Sequence, residues 1–268
     1  MLPNERHQEI LELLKQKNTI SITDFAAELQ VSEITVRRDL ELLDNNNQII
    51  RIRGGAKLLE NEKVEKDTNF LNRRFYNQAA IQKQEKRAIG KLAASLVKDD
   101  ETILIDAGST TLSLAKHLHG KRGVTAIVTT VNIAEELEGR EGVTTILSGG
   151  IFRSKTTTLV NPIMDRMLMQ IHADKVFIGV TAVSLTKGFS GNDFLESEVK
   201  RQLLNSGKQI YWLVDSTKVN SISTIHISPF IKEHFIIVDD GIQPSSKEQL
   251  EKQCQLLIAA RERESADE

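Results

Sequence analysis

After residue 80 the chain repeats one pattern: short apolar runs, "TILID" (102–106), "TAIVT" (125–129), "TTILS" (144–148), "KVFIGV" (175–180), "IYWLVD" (210–215) and "FIIVD" (235–239), mostly separated by helical periodicity. Runs this short and continuous read as strands buried on both faces, and strands alternating with helices form a largely parallel sheet covered on either side. The expectation for residues 81–260 is a doubly wound, mainly parallel α/β domain. Ligands in such sheets bind beyond the carboxyl ends of the strands, and there this sequence turns polar: "DAGSTT" (106–111), "TTVN" (129–132), "SGGIFR" (148–153) and "DSTK" (215–218). Gly108 permits close backbone approach, and the amides and hydroxyls of Ser109, Thr110 and Thr111 at a helix start suit an anion. The lysine of a P-loop is missing. Lys218 follows a strand end inside a polar cluster, where a cation meets phosphate or a carbohydrate oxygen. Glu196 and Lys200 stand i, i+4 in "FLESEVKRQLL", a spacing that ordinarily makes a surface salt bridge.

The first 57 residues read differently. Ile10, Leu13 and Leu14 mark one helix. Ile22, Phe25 and Leu29 mark a second, opened by Ser21 with Asp24 three residues on, a capping-box arrangement with Asp in place of Glu. A third helix, "VSEITVRRDLELL" (31–43), is capped by Ser32, turns Val36, Leu40 and Leu43 to a core, and leaves Ile34, Arg37, Arg38 and Glu41 opposite, with Thr35 at the flank. Only Gln30 and Val31 stand before that cap, so the two helices must cross sharply, which is helix-turn-helix geometry. "NNNQIIRIRGGAKLL" (45–59) then reads as a hairpin wing whose Arg51, Arg53 and Lys57 form a positive edge. Residues 58–80 are charged and weakly periodic, a linker or else a solvated helix of the next domain. Residues 261–268 read as a frayed, disordered tail.

A formal net charge of −2 gives no global electrostatic case for nucleic acid, and residues 1–57 carry eight Lys/Arg against nine Asp/Glu. Any DNA contact must rest on where the charges sit. The single cysteine, Cys254, excludes an intramolecular disulfide and shares an apolar stripe with Leu250 and Leu257, the pattern of a buried C-terminal helix. Neither an apolar signal region nor a run of 18 apolar residues occurs, so a cytoplasmic chain without membrane contact is expected. His117 and His119 are explained by helix-end carbonyls. No metal, cofactor or catalytic triad is expected.

Together these residues resemble the DeoR family of bacterial transcriptional regulators over almost the whole chain. "VSEITVRRDLELL" with "RIRGGA" resembles the family's recognition helix and wing. Asp106, Gly108, Ser109, Thr110 and Thr111, then Thr130 and Asn132, then Gly149 and Gly150, then Glu196, Lys200 and Arg201, then Asp215 and Lys218 resemble the effector-domain motifs in order. The resemblance implies an effector domain similar in fold to ribose-5-phosphate isomerases and coenzyme A transferases, and a phosphorylated sugar as inducer. Departures from the family pattern fall at Gln48, Arg53, Asn161, Pro162, Ala182, Ser184 and Asn220.

The expected function is a sequence-specific DNA-binding repressor of a sugar-utilisation operon, a homo-oligomer binding a double-stranded operator. Ser21, Ser32, Thr35, Arg37, Arg38, Arg51, Arg53 and Lys57 are the expected DNA contacts, and the effector-domain residues above, with Arg153, the expected effector contacts. The alternatives are a sugar-phosphate isomerase-like enzyme with an appended small domain, using Glu196 and Lys218, and a protein-interaction role for the winged helix.

Overall fold

The computed structural model describes residues 3–17, 19–45, 49–52, 54–58, 81–153, 156–160 and 170–262. Gln48, Arg53, Asn161 and Pro162 lie outside them, as does the expected linker apart from Leu58. The chain divides into two compact units, Met1–Asn69 and Phe70–Glu268.

The smaller unit is a winged helix-turn-helix. It runs α1 (Pro3–Lys17), β1 (Thr19–Ser21), α2 (Ile22–Glu28), α3 (Glu33–Asn45), β2 (Ile49–Ile52) and β3 (Gly55–Leu58), with an antiparallel sheet in the order β1-β3-β2. The helical spacing read from the sequence holds: Ile10, Leu14, Phe25, Leu29, Val36, Leu40 and Leu43 form one core with Ile20, Ile49 and Ala56. Fully burying each such aliphatic side chain contributes roughly 1.5 to 3 kcal/mol. Ser21 caps α2 by accepting from the Asp24 N–H at 3.1 Å, but Asp24 takes the Ser21 hydroxyl at 2.6 Å, so the capping box closes side chain to side chain. The tight turn into α3 is made by Gln30 at φ 53, with Val31 N–H donating to Ala26 O at 3.1 Å. β1 is not legible as a strand in the sequence. It pairs with the wing because Gly55 lets the backbones meet: a Cβ there would lie 2.3 Å from Ile20 O.

The larger unit runs α4 (Lys83–Ser95), β4 (Thr102–Ile105), α5 (Ser109–His117), β5 (Val124–Val128), α6 (Val131–Leu137), β6 (Val143–Leu147), a hairpin of β7 (Ile151–Arg153) and β8 (Thr158–Val160), β9 (Ala173–Gly179), β10 (Ala182–Ser184), β11 (Gly188–Gly191), α7 (Phe194–Leu203), β12 (Gly207–Val214), β13 (Ile225–Ser228), β14 (Phe235–Asp239), α8 (Pro244–Glu251) and β15 (Gln255–Ala259). All six expected strands are present in one seven-stranded sheet, order β15-β14-β12-β9-β4-β5-β6, whose every pairing is parallel. The seventh, β15, corrects the expected C-terminal helix: Cys254 is buried in the turn after α8, and the run that follows it is extended.

Alternate residues of the strands serve opposite faces, as the pleat requires. Ile103, Ile105, Phe177 and Leu213 pack under Ile89 of α4, Leu112 of α5 and Ile133 of α6. Leu104, Val176, Ile178, Trp212 and Val214 pack against Val199 and Leu203 of α7, Leu250 of α8 and Phe189 of β11. Gly90 brings α4 onto α5, since a Cβ there would sit 2.5 Å from the Ser113 backbone. From β4 the chain winds outward through β5 and β6, then returns to the other side of β4 as β9. The strand order therefore reverses between β4 and β9, the crevice where doubly wound sheets bind ligands. Arg261 and Glu262, expected in the frayed tail, are held: Arg261 pairs with Asp240 at 2.5 Å and Glu85 at 3.1 Å, and Glu262 with Lys91 at 2.9 Å. No helix among the described residues is long and apolar enough to cross a membrane.

Candidate functional site

The first candidate site is the outer face of α3. Ser32 caps the helix through the Thr35 N–H at 3.2 Å, and the two hydroxyls meet at 2.9 Å. Glu33 accepts from Thr23 Oγ1 at 3.1 Å and from Arg37 at 3.1 Å, an exposed i, i+4 contact that leaves the Arg37 side chain 57% exposed. Such a pair contributes only a few tenths of a kcal/mol and does not withhold the guanidinium from a stronger anion. Arg38 is exposed and has no ion-pair partner among the described residues. Arg51 and Lys57 of the wing are exposed as well.

The inner face holds a feature the sequence reading missed. Asp39 is buried, accepting two hydrogen bonds from Arg6 of α1 at 2.5 and 2.9 Å and lying 3.1 Å from His7 Nε2. Burial pushes its carboxyl up, but the Arg6 and His7 contacts outweigh that and hold it below the usual carboxylate range. A two-pronged ion pair from α1 thus fixes the rotation of α3 about its axis, which aliphatic contacts alone leave looser. The nearest sequence signal was an acid among the residues facing the core.

The second candidate site lies at the β4/β9 crevice. Asp106, at the end of β4, is buried, forms an ion pair with the buried Lys200 of α7, and accepts from the Gly179 N–H at 3.2 Å. Burial pushes the Asp106 carboxyl above its usual range, and Lys200 and the Gly179 amide offset that only in part. Lys200 therefore pairs with a residue 94 positions away rather than with its helix neighbour Glu196. Glu196 instead accepts from Thr158 Oγ1 at 3.3 Å and stands 3.8 Å from Arg153, which is anchored on Asp193 at 2.5 Å. Asp193 also caps α7 through the Glu196 N–H at 3.1 Å, so one carboxylate ties the β7/β8 hairpin to the helix start.

Asp106, Lys200, Glu196, Thr129, Thr158 and Val199 line a narrow cleft with a cavity volume of about 10 Å³, room for roughly one water molecule. Of the two threonines that follow β5, the one that reaches the cleft is Thr129, absent from the expected site residues, and its buried hydroxyl has no partner among the described residues. Thr130, which was expected, points elsewhere: its hydroxyl bonds Thr157 O at 2.8 Å and contacts Asn132 Oδ1. The buried Asn132 Nδ2 likewise has no partner among the described residues. Gly149 and Gly150, with φ of 69° and 118°, shape the turn from β6 into β7 and are not among the cleft-lining residues.

Asp215 and Lys218 are not in that cleft. The pleat turns Asp215 to the opposite face of the sheet, where it pairs with Lys218 at 3.2 Å beside Lys86 of α4. Burial, then the neighbouring Lys218 charge, bring the Lys86 amine down to about 8. Ser109 is half-buried at the start of α5, and the Thr111 hydroxyl donates to Gly108 O at 2.9 Å. Among the departures, Asn220 adopts φ 62°, a left-handed turn that Asn tolerates, and Ser184 accepts from Lys187 N at 3.2 Å inside the β10–β11 turn. His117 Nδ1 lies 2.7 Å from Ser113 O. Among the described residues no group of three or more His, Cys, Asp or Glu side chains is placed to hold a metal ion.

A winged helix-turn-helix joined to a doubly wound sheet with a polar cleft at its switch point defines a DNA-binding protein with a sensor domain. The family models agree: the DeoR-like helix-turn-helix domain matches residues 6–62 and the DeoR C terminal sensor domain matches residues 81–240, so the chain belongs to the DeoR family of transcriptional regulators. It is 37% identical to the HTH-type transcriptional regulator GolR of Listeria innocua, over 90% of this chain and 92% of that one. To the lactose phosphotransferase system repressor of Lactococcus lactis subsp. lactis it is 30% identical, over 97% and 100% of the two chains. A solved ribose 5-phosphate isomerase A from Methanocaldococcus jannaschii is similar at 20% identity, over 50% of this chain and 53% of that one, with a TM-score of 0.36. The chain is a transcriptional regulator, and its relatives support that reading over the isomerase alternative.

Proposed function

We propose that this regulator represses a sugar-utilisation operon in the cytoplasm and is released by a phosphorylated sugar. Arg37 and Arg38 enter the major groove with Ser21, Ser32 and Thr35 at its rim, while Arg51, Arg53 and Lys57 touch the backbone. One head making so few phosphate contacts binds weakly, so a homo-oligomer engages repeated half-sites. The observation that carries the effector reading is the Thr129 hydroxyl, without a partner among the described residues, beside the buried Asp106–Lys200 pair, a polar lining that a ligand hydroxyl completes. The anionic end of the sugar extends from the cleft past the α5 start and over the carboxyl edge of the sheet to its other face, where Lys218 and Lys86 supply positive charge. Release follows if the sugar phosphate favours one arrangement of the heads over another.

The test is a panel of sugar phosphates read by thermal shift on the full chain, followed by their effect on binding to the DNA upstream of its own gene. A stabilising compound that also releases the DNA supports the reading. Stabilisation without release, or no stabilisation by any compound, sinks it. Lys218→Ala is expected to retain DNA binding while needing more effector for release.

A further inference from the structure

The first turn of α3 carries a side chain for which the fold has no use. Ile34 is 77% exposed, more than any other large hydrophobic side chain among the described residues. Its neighbours are occupied: Ser32 and Thr35 bond each other, and Glu33 spans Thr23 and Arg37. The helix turns Val36, Asp39, Leu40 and Leu43 inward, so Ile34 faces away from the core. It stands one turn before the exposed Arg38, on the same stripe of the helix, with Arg37 adjacent.

An apolar side chain flanked by cations on one helix face has a definite complement. The major groove has a polyanionic rim, and the apolar group on its floor is the thymine 5-methyl. Recognition helices of this geometry touch base edges with their N-terminal residues, which is where Ile34 sits. The charge of Arg37 and Arg38 selects a duplex over an apolar protein surface as the occupant. We infer that Ile34 is a specificity-determining residue whose side chain packs against the 5-methyl group of a thymine in the operator. The inference rests on the DNA-contacting reading of α3 and adds a base identity to it.

The experiment selects duplexes from a randomised pool with the full chain, then resynthesises the recovered site with each thymine replaced in turn by deoxyuridine. That change removes the methyl group and keeps every hydrogen-bonding atom. At one thymine per half-site the wild type is expected to lose about fourfold in affinity, the value of one buried methyl group. Ile34→Ala is expected to bind the thymine and deoxyuridine duplexes equally, with an unchanged Tm. A wild type indifferent to every substitution, or a methyl effect that persists in Ile34→Ala, overturns the inference and leaves DNA binding standing. Recovery of no duplex overturns the DNA-contacting reading of α3, and the inference falls with it.

Discussion

The two units handle charge in opposite ways. On the winged helix Arg37, Arg38, Arg51 and Lys57 are exposed, Arg37 held by one surface carboxylate and Arg38 by none among the described residues, while the buried Asp39 is engaged by Arg6 and His7. In the sensor unit Asp106, Lys200 and Asp215 are buried, Asp106 paired with Lys200 and Asp215 with the half-buried Lys218. A surface that meets a polyanion gains by exchanging counterions and must keep its cations accessible. A site for a small ligand works in reduced water, so its ionic groups are neutralised in pairs and its free hydrogen-bonding capacity resides in neutral atoms such as Thr129 Oγ1.

The sharpest way to break this contrast is Asp106→Ala, which strands a buried ammonium; it is expected to destabilise the sensor unit by about 3 to 5 kcal/mol, read by urea unfolding. A change below 1 kcal/mol, on the order of an exposed pair, would mean that Lys200 finds water or another anion. Arg38→Ala is the complementary case. Operator affinity is expected to fall by about 1 to 3 kcal/mol with the salt dependence reduced and no change in Tm; a lower Tm with intact binding would reverse the assignment of exposed and structural charge. Asp39 gives an acid-side test. Its carboxyl is lower folded than unfolded, so the stability it contributes is present above the unfolded value near 3.9 and is lost as pH falls through the folded one. Asp39→Asn is expected to flatten that acid loss in the winged helix, followed by circular dichroism. An alkaline-side test is at Lys86, whose amine is at about 8 folded against an ordinary 10.5. Stability is expected to rise between pH 8 and 10.5 as the buried charge is discharged, and Lys86→Met to abolish that rise in calorimetry.

Much of this architecture is written in local patterns. Val36, Leu40 and Leu43 declare the inner face of α3 by spacing alone, and the six apolar runs declare the sheet and the polar loops at its edge. Local spacing misled in two places. Leu250, Cys254 and Leu257 fit a helical stripe, but α8 ends at Glu251 and the rest joins the sheet beside β14, where strand pairing outweighs helix periodicity. Glu196 and Lys200 fit an i, i+4 bridge, yet the buried Asp106 captures the lysine, because an unpaired buried carboxylate is far costlier than a lost surface contact.

The sequence alone determined what is periodic: which helix faces and strands are apolar, where turns fall, and which loops carry polar groups, since these follow from the 3.6 and 2 residue repeats of the backbone. Tertiary structure decided what depends on phase and on distance along the chain. Whether Thr129 or Thr130 enters the cleft turns on the pleat of β5, and the separation of Asp215 from Asp106 turns on the sheet having two sides. The pairing of Arg6 with Asp39, 33 residues apart, exists only once α1 and α3 have packed. Ion pairs of that kind leave no trace in a local pattern because their energy depends on burial that the fold itself creates.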